Sequence, residues 1–235
     1  MFAIETRISD SSGMQPALTF AIGDIHGCQQ ALLRLLHLCS DSAAGRSHRL
    51  VFIGDYIDRG PDSRSVIETV RAVEQRSQGD VICLMGNHED LLLEALDSAD
   101  ASHWLYNGGA DTLASYGIRD PARLPAQDIA WLRSLRLSFD DGMRFFAHAG
   151  IDPDYPLDQQ PREALLWIRE RFHRARTDYG RLIVHGHTPR RDARPDVRPN
   201  RVNIDTGCVY GGVLTAAVFT DDAVAPLGFL SARER

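Results

Sequence analysis

Short apolar runs, each stopping at a glycine followed by polar residues, set the pattern of this chain. Residues 18–22 (Leu-Thr-Phe-Ala-Ile), 49–53 (Arg-Leu-Val-Phe-Ile) and 81–84 (Val-Ile-Cys-Leu) are rich in β-branched and aromatic side chains and read as buried strands. The first runs into Gly23-Asp24-Ile25-His26-Gly27, the second into Gly54-Asp55-Tyr56-Ile57-Asp58-Arg59-Gly60, and the third into Gly86-Asn87-His88-Glu89. Between them, residues 28–39 carry leucines and Ala31 at helical spacing. A second helix, with Pro61 in its first turn, buries Val66, Ile67, Val70 and Val73 on one face and is broken by Gly79 and Asp80. A third helix is expected over 89–99. This β-α-β-α-β order predicts parallel strands whose polar ends share one crevice.

The second half alternates less regularly. Residues 103–135 read as a helical insertion, with Asn107-Gly108-Gly109 as a loop and Trp104 and Trp131 as packing residues. A strand at 143–147 ends in His148-Ala149-Gly150, a helix covers 162–171, and a strand at 182–184 enters His185-Gly186-His187-Thr188-Pro189. Strands at 202–204, 213–219 and 224–229 follow the helices and are expected to form a second sheet. Residues 1–16 have high turn content and read as a weakly ordered lead-in, which leaves 17–235 as a single domain.

Composition narrows the setting. The 235 residues suffice for one full core, and 43% hydrophobic with 25% charged residues is ordinary for a soluble globular protein. A net charge of −6 argues against nucleic acid as a partner. No apolar run is long enough to cross a bilayer, and the first sixteen residues lack the apolar core of a signal peptide. Cys28, Cys39, Cys83 and Cys208 form no CxxC pair, so a reducing, cytoplasmic compartment without disulfides is expected. The sequence leaves the oligomeric state open.

The strand ends gather Asp24, His26, Asp55, Asn87, His148 and His187. This mixed oxygen and nitrogen set is too hard for a thiolate zinc site and too nitrogen-rich for calcium or magnesium alone; it suits manganese, iron or zinc. Six ligands exceed what one catalytic ion with an open position needs. Shared by two divalent ions, with Asp55 as the bridge, the count works.

Gly23-Asp-Ile-His-Gly27, Gly54-Asp-Tyr-Ile-Asp-Arg-Gly60 and Gly86-Asn-His-Glu89 resemble the three core motifs of the phosphoprotein phosphatase branch of the calcineurin-like metallophosphoesterases. The resemblance extends through His148-Ala-Gly150, Gly186-His-Thr-Pro189 and Asp205-Thr-Gly207. Residues 103–109 (His-Trp-Leu-Tyr-Asn-Gly-Gly) and 167–171 (Trp-Ile-Arg-Glu-Arg) are similar to segments of phage lambda and bacterial serine/threonine phosphatases. It implies a four-layer α/β/β/α sandwich of two mixed sheets with a two-metal site between them. Asp24 and His26 would hold one metal, Asp55 would bridge, and Asn87, His148 and His187 would complete the second; His185 matches no ligand. Pro189 stands where a generic metallophosphoesterase often has another histidine, a departure typical of the phosphatase branch. By the same resemblance Asp58 would orient His88 as the general acid.

The physical chemistry of these residues agrees. Two cations about 3.5–4 Å apart lower the pKa of a shared water from about 15.7 toward about 7, giving a hydroxide for in-line attack on phosphorus. Arg59 and Arg169 offer planar forks for phosphoryl oxygens, with Arg171 as a competitor for the second role. The expected activity is metal-dependent phosphomonoester hydrolysis by a broad serine/threonine phosphatase, with phosphorylated proteins or small phosphate esters as substrates and manganese as the first choice of metal. The alternatives are a dinucleoside polyphosphate hydrolase and an inactive phosphoprotein-binding scaffold. Asp58-Arg59 and Glu89 favour the protein phosphatase, and an intact residue set argues against the scaffold. Asp205 reads either as support for a ligand histidine or as a turn residue, and Tyr210 either as a site neighbour or as packing. His37, His48, His103 and His173 read as ordinary helix or loop residues. The arginines of 190–201 read either as a solvated loop or as a basic rim.

Overall fold

Side chains along the strands alternate between two buried faces, and that alternation builds two packed sheets. The computed structural model describes residues 17–77 and 80–235, so the lead-in at 1–16 and the Gly79 break lie outside the described residues. The strands are β1 (Leu18–Ile22), β2 (His48–Phe52), β3 (Val81–Cys83), β4 (Ser138–Asp140), β5 (Arg144–Ala147), β6 (Leu182–His185), β7 (Asp196–Arg198), β8 (Arg201–Asn203), β9 (Leu214–Thr220) and β10 (Gly228–Ala232). The helices are α1 (Gln29–Ala43), α2 (Ser63–Arg76), α3 (Asn87–Ser98), α4 (Ser102–Trp104), α5 (Ala110–Tyr116), α6 (Ala126–Ser134), α7 (Arg162–Trp167) and α8 (Glu170–Arg174).

One sheet has the order β10-β9-β1-β2-β3, the other β4-β5-β6-β8-β7. β1, β2 and β3 are parallel, as are β5, β6 and β8. Phe20, Ile22 and Phe52 face a core shared with α1 and α2, whereas Ala21, Val51, Ile53, Phe146, Val184 and Phe219 pack between the sheets. Phe145 and Ile183 turn to the far side, against Leu165 of α7 and Phe172 of α8. The result is a four-layer α/β/β/α sandwich of two mixed sheets. Each large side chain buried between the sheets contributes about 1.5–3 kcal/mol.

Several boundaries differ from the sequence reading. Pro61 precedes α2 rather than opening it, because Asp62 is the cap and its carboxylate accepts from Ser65 N–H at 3.1 Å. Helix α3 starts two residues early, at Asn87. Asn107-Gly108-Gly109 is no open loop: a wide helical turn, Leu105–Gly109, carries the chain from α4 to α5 and is interrupted only at Gly108 (φ 109°). The helix expected over 162–171 is split at Ile168 and Arg169 into α7 and α8. Of the tail strands only β8 joins the second sheet; β9 and β10 return to the first. β10 begins at Gly228, four residues later than the apolar run suggests, and Leu227 N–H just before it already donates to the Val218 carbonyl of β9 at 2.7 Å. The basic loop over 190–201 contains β7, which pairs antiparallel with β8.

Candidate metal centre

The ends of β1, β2, β3, β5 and β6 converge where the two sheets meet, and each delivers polar side chains. Backbone geometry there is unusual: His26, Asp55, Asp58, Arg59 and His187 all have φ between 46° and 72°. Left-handed conformations in non-glycine residues cost on the order of 1–3 kcal/mol each and persist only where surroundings fix them. Glu89, three residues into the α3 turn, supplies one such restraint. Its carboxylate accepts from the N–H groups of Asp55 (2.9 Å), Tyr56 (2.8 Å), Ile57 (3.3 Å) and Gly86 (2.9 Å). Gly86 is required by the same approach, since a Cβ there would lie 2.1 Å from Asp55 Oδ1.

Sequence reading used Glu89 only to recognise a motif; its spacing after Gly86 is that of a capping box, the signal that marks it as a structural tie. Glu89→Ala leaves four buried N–H groups unpaired and is expected to destabilise the fold by roughly 3–5 kcal/mol, measured by urea unfolding. A loss below about 1 kcal/mol contradicts that role.

Asp55 lies at the middle. Its Oδ2 is 3.3 Å from His26 Nε2 and 3.4 Å from His148 Nε2, and its Oδ1 accepts from His88 N–H at 3.1 Å. Two groups of three ligand atoms, each mutually within 4.8 Å, share this carboxylate: His26, Asp55 and His88 in one, and Asp55, His148 and His187 in the other. Asn87 Oδ1 stands 2.9 Å from His148 Nε2 and 2.8 Å from His187 Nδ1. His26 Nδ1 donates to the Ile57 carbonyl and His148 Nδ1 to that of Ile53, which leaves the Nε2 lone pairs turned inward. Arg59 Nη1 donates to His26 Nε2 at 2.9 Å. Asp24 is outside both groups of three; its Oδ2 accepts from His187 N–H at 3.0 Å, and its buried Oδ1 has no partner.

The electrostatics match a cation site. Burial, then Asp205 and Asp55 beside it, pushes the Asp24 carboxyl well above the usual range, and burial lifts Asp205 to about 7. Burial lowers His26 to about 3 and His187 to about 2, so these imidazoles are neutral; His187 Nε2 is buried without a partner, whereas His26 Nε2 accepts from Arg59. Buried carboxylates beside neutral imidazoles are stabilised by positive charge brought among them. Oxygen and nitrogen donors without a thiolate, together with the unpartnered Asp24 Oδ1, fit divalent cations of the manganese, iron or zinc type.

His88 differs from the other histidines. Burial disfavours its cation, but Asp55 and the Asp58 hydrogen bond outweigh this and raise its pKa. Its Nδ1–H donates to Asp58 Oδ2 at 2.7 Å. Arg169 sits in the break between α7 and α8 and is among the charges that disfavour the His187 and His148 cations. Arg171 turns away to Asp152 and Asp154. Asp205 accepts from Gly207 N–H at 3.1 Å, the turn arrangement, and the Arg59 guanidinium lies 5.9 Å over the Tyr210 ring. His48 opens β2, and His173 lies in α8 beside buried His185, ring centroids 5.4 Å apart.

The calcineurin-like phosphoesterase family profile matches residues 19–220, and the chain belongs to that metallophosphoesterase family. It is 32% identical over 211 residues to serine/threonine-protein phosphatase 1 of Salmonella typhimurium, covering 84% of this chain and 90% of the relative. It is 33% identical over 220 residues to the asymmetrical bis(5'-nucleosyl)-tetraphosphatase PrpE of Anoxybacillus flavithermus, covering 83% and 87%. A cold-active protein tyrosine phosphatase has a similar fold, with a TM-score of 0.66 and 17% identity over 93% of this chain and 79% of that one. Within the family these similarities place the chain in the phosphoprotein phosphatase branch. It is therefore an enzyme, a phosphatase of the metallophosphoesterase class, and the inactive scaffold is set aside. Among the described residues no helix is long and apolar enough to cross a membrane.

Proposed function

We propose that residues 17–235 form one catalytic domain that hydrolyses phosphate monoesters, with phosphoserine and phosphothreonine proteins as its main substrates. The observation that carries the reading is the Asp55 carboxylate, whose Oδ2 lies 3.3 Å from His26 Nε2 and 3.4 Å from His148 Nε2. In this reading Asp24 and His26 would hold one divalent cation and Asn87, His148 and His187 another, with Asp55 serving both; manganese would be the first choice, iron and zinc the others. When bound, such a pair lowers the pKa of a water toward about 7 and draws negative charge toward itself. Arg59 and Arg169 grip the phosphoryl oxygens and offset the charge that reorganises as water oxygen bonds to phosphorus and the ester P–O bond breaks. His88 gives its Nε2 proton to the departing oxygen while Nδ1–H stays on Asp58.

A second reading, hydrolysis of dinucleoside polyphosphates, is supported by the tetraphosphatase relatives and by a cavity of about 410 Å³ lined by Arg190, Arg191 and Tyr210. The cavity adjoins Pro189 and Gly207, close in sequence to His187 and Asp205. Side-by-side hydrolysis of a phosphoserine peptide and diadenosine tetraphosphate by manganese-loaded protein separates the two. Turnover of the peptide with little on the nucleotide is expected; the reverse result moves the assignment to the nucleotide.

The same cavity gives the basic rim a test. Arg198 and Arg201 are spent on Asp196, at 2.8 and 2.9 Å, whereas Arg190 meets Asp192 only at 3.4 Å. Neutralising Arg190 and Arg191 together is expected to raise KM about 3- to 10-fold at low salt and much less at high salt, because screening already weakens steering there. An unchanged salt dependence removes the steering role.

A further inference from the structure

The segment from Trp104 to Thr112 contains none of the candidate ligands, yet it closes over Asp58 and Arg59. Trp104 Nε1–H donates to Asp58 Oδ2 at 2.9 Å and to Oδ1 at 3.1 Å. The Thr112 hydroxyl donates to Asp58 Oδ1 at 2.6 Å and accepts from Asp58 N–H at 2.9 Å. The Gly108 carbonyl accepts from Arg59 N–H at 3.3 Å. Trp104, Thr112 and Asp58 are each fully buried. Two glycines permit this approach: a Cβ on Gly108 would lie 2.8 Å from Arg59 Cγ, and one on Gly109 would lie 2.4 Å from the Trp104 ring. The grip falls on two successive left-handed residues, Asp58 and Arg59 (φ 72° and 68°), a strained pair that needs outside restraint.

We infer that Trp104 and Thr112 are positioning residues that fix the plane of the Asp58 carboxylate, and through it the direction in which His88 presents its Nε2 proton. The final torsion of an aspartate is soft, so the His88 hydrogen bond alone leaves the carboxylate free to rotate. Donors from Trp104 and Thr112 on the remaining lone pairs remove that freedom. This inference rests on His88 being the proton donor, and its test separates the two claims.

Trp104→Phe, Thr112→Val, His88→Asn and the Trp104→Phe/His88→Asn double variant are assayed on phenyl phosphate, whose leaving oxygen needs a proton at neutral pH, and on p-nitrophenyl phosphate, whose leaving group does not. Bound metal is measured in each. Trp104→Phe and Thr112→Val are each expected to lower kcat on phenyl phosphate roughly 10-fold or more, with KM, metal content and p-nitrophenyl phosphate turnover little changed. Thr112→Ser, which keeps the hydroxyl, is expected to restore turnover. The double variant is expected to be no slower than His88→Asn alone, because residues acting through one group are not additive. Equal losses on both esters, or losses that multiply in the double variant, overturn the positioning role even where His88→Asn remains selective for phenyl phosphate. A His88→Asn variant without that selectivity overturns the proton-donor reading and the inference with it.

Discussion

Asp55→Asn is expected to lower kcat roughly 10³-fold, the scale of losing several kcal/mol of metal-borne charge stabilisation. The reason lies in the atoms. Asp55 Oδ2 stands between His26 Nε2 and His148 Nε2, so one carboxylate serves both halves of the site. Asparagine keeps one acceptor oxygen, loses the negative charge, and presents an NH₂ group where the second lone-pair set was. Because that charge lies between His26 and His148, the residues that would hold the two cations would retain them less tightly. Metal analysis after dialysis is the check: the proposal expects a fall from two divalent ions per chain toward one, whereas full metal content with full activity contradicts it.

His88→Asn is expected to lower kcat on a phosphoserine peptide roughly 10²- to 10⁴-fold while metal stays bound. Asparagine has no proton to give to an alkoxide, but the His88 backbone N–H that reaches Asp55 Oδ1 is unchanged. The first turn of α3, and with it Asn87, therefore keeps its place. An aryl ester with a good leaving group is expected to lose far less. Undiminished turnover of the alkyl ester removes His88 as the acid.

The strand-end motifs were legible because each follows a short, continuously apolar run, in most cases stopped by a glycine, and such runs predict where a buried strand ends. Asp24, His26, Asp55, Asn87, His148 and His187 do come together in the structure. Contacts made across long separations were not legible. Trp104 reads as a packing residue, and no periodicity reveals that its indole N–H ends on Asp58, 46 positions away. The tail strands were visible as apolar runs, but a run does not say which sheet it joins, so the return of β9 and β10 to the first sheet was missed. No glycine or proline marks the break at Ile168 and Arg169, yet that break separates Arg169, beside the site, from Arg171, paired with Asp152. β4 and β7, three residues each, are too short for alternation to register.

A crystal of the manganese-loaded protein, with the metals located by their anomalous scattering, tests the central claim most directly. The account predicts two peaks about 3.5–4 Å apart, both within bonding distance of the Asp55 carboxylate. A single peak, or a pair of which either member leaves Asp55 untouched, would contradict it.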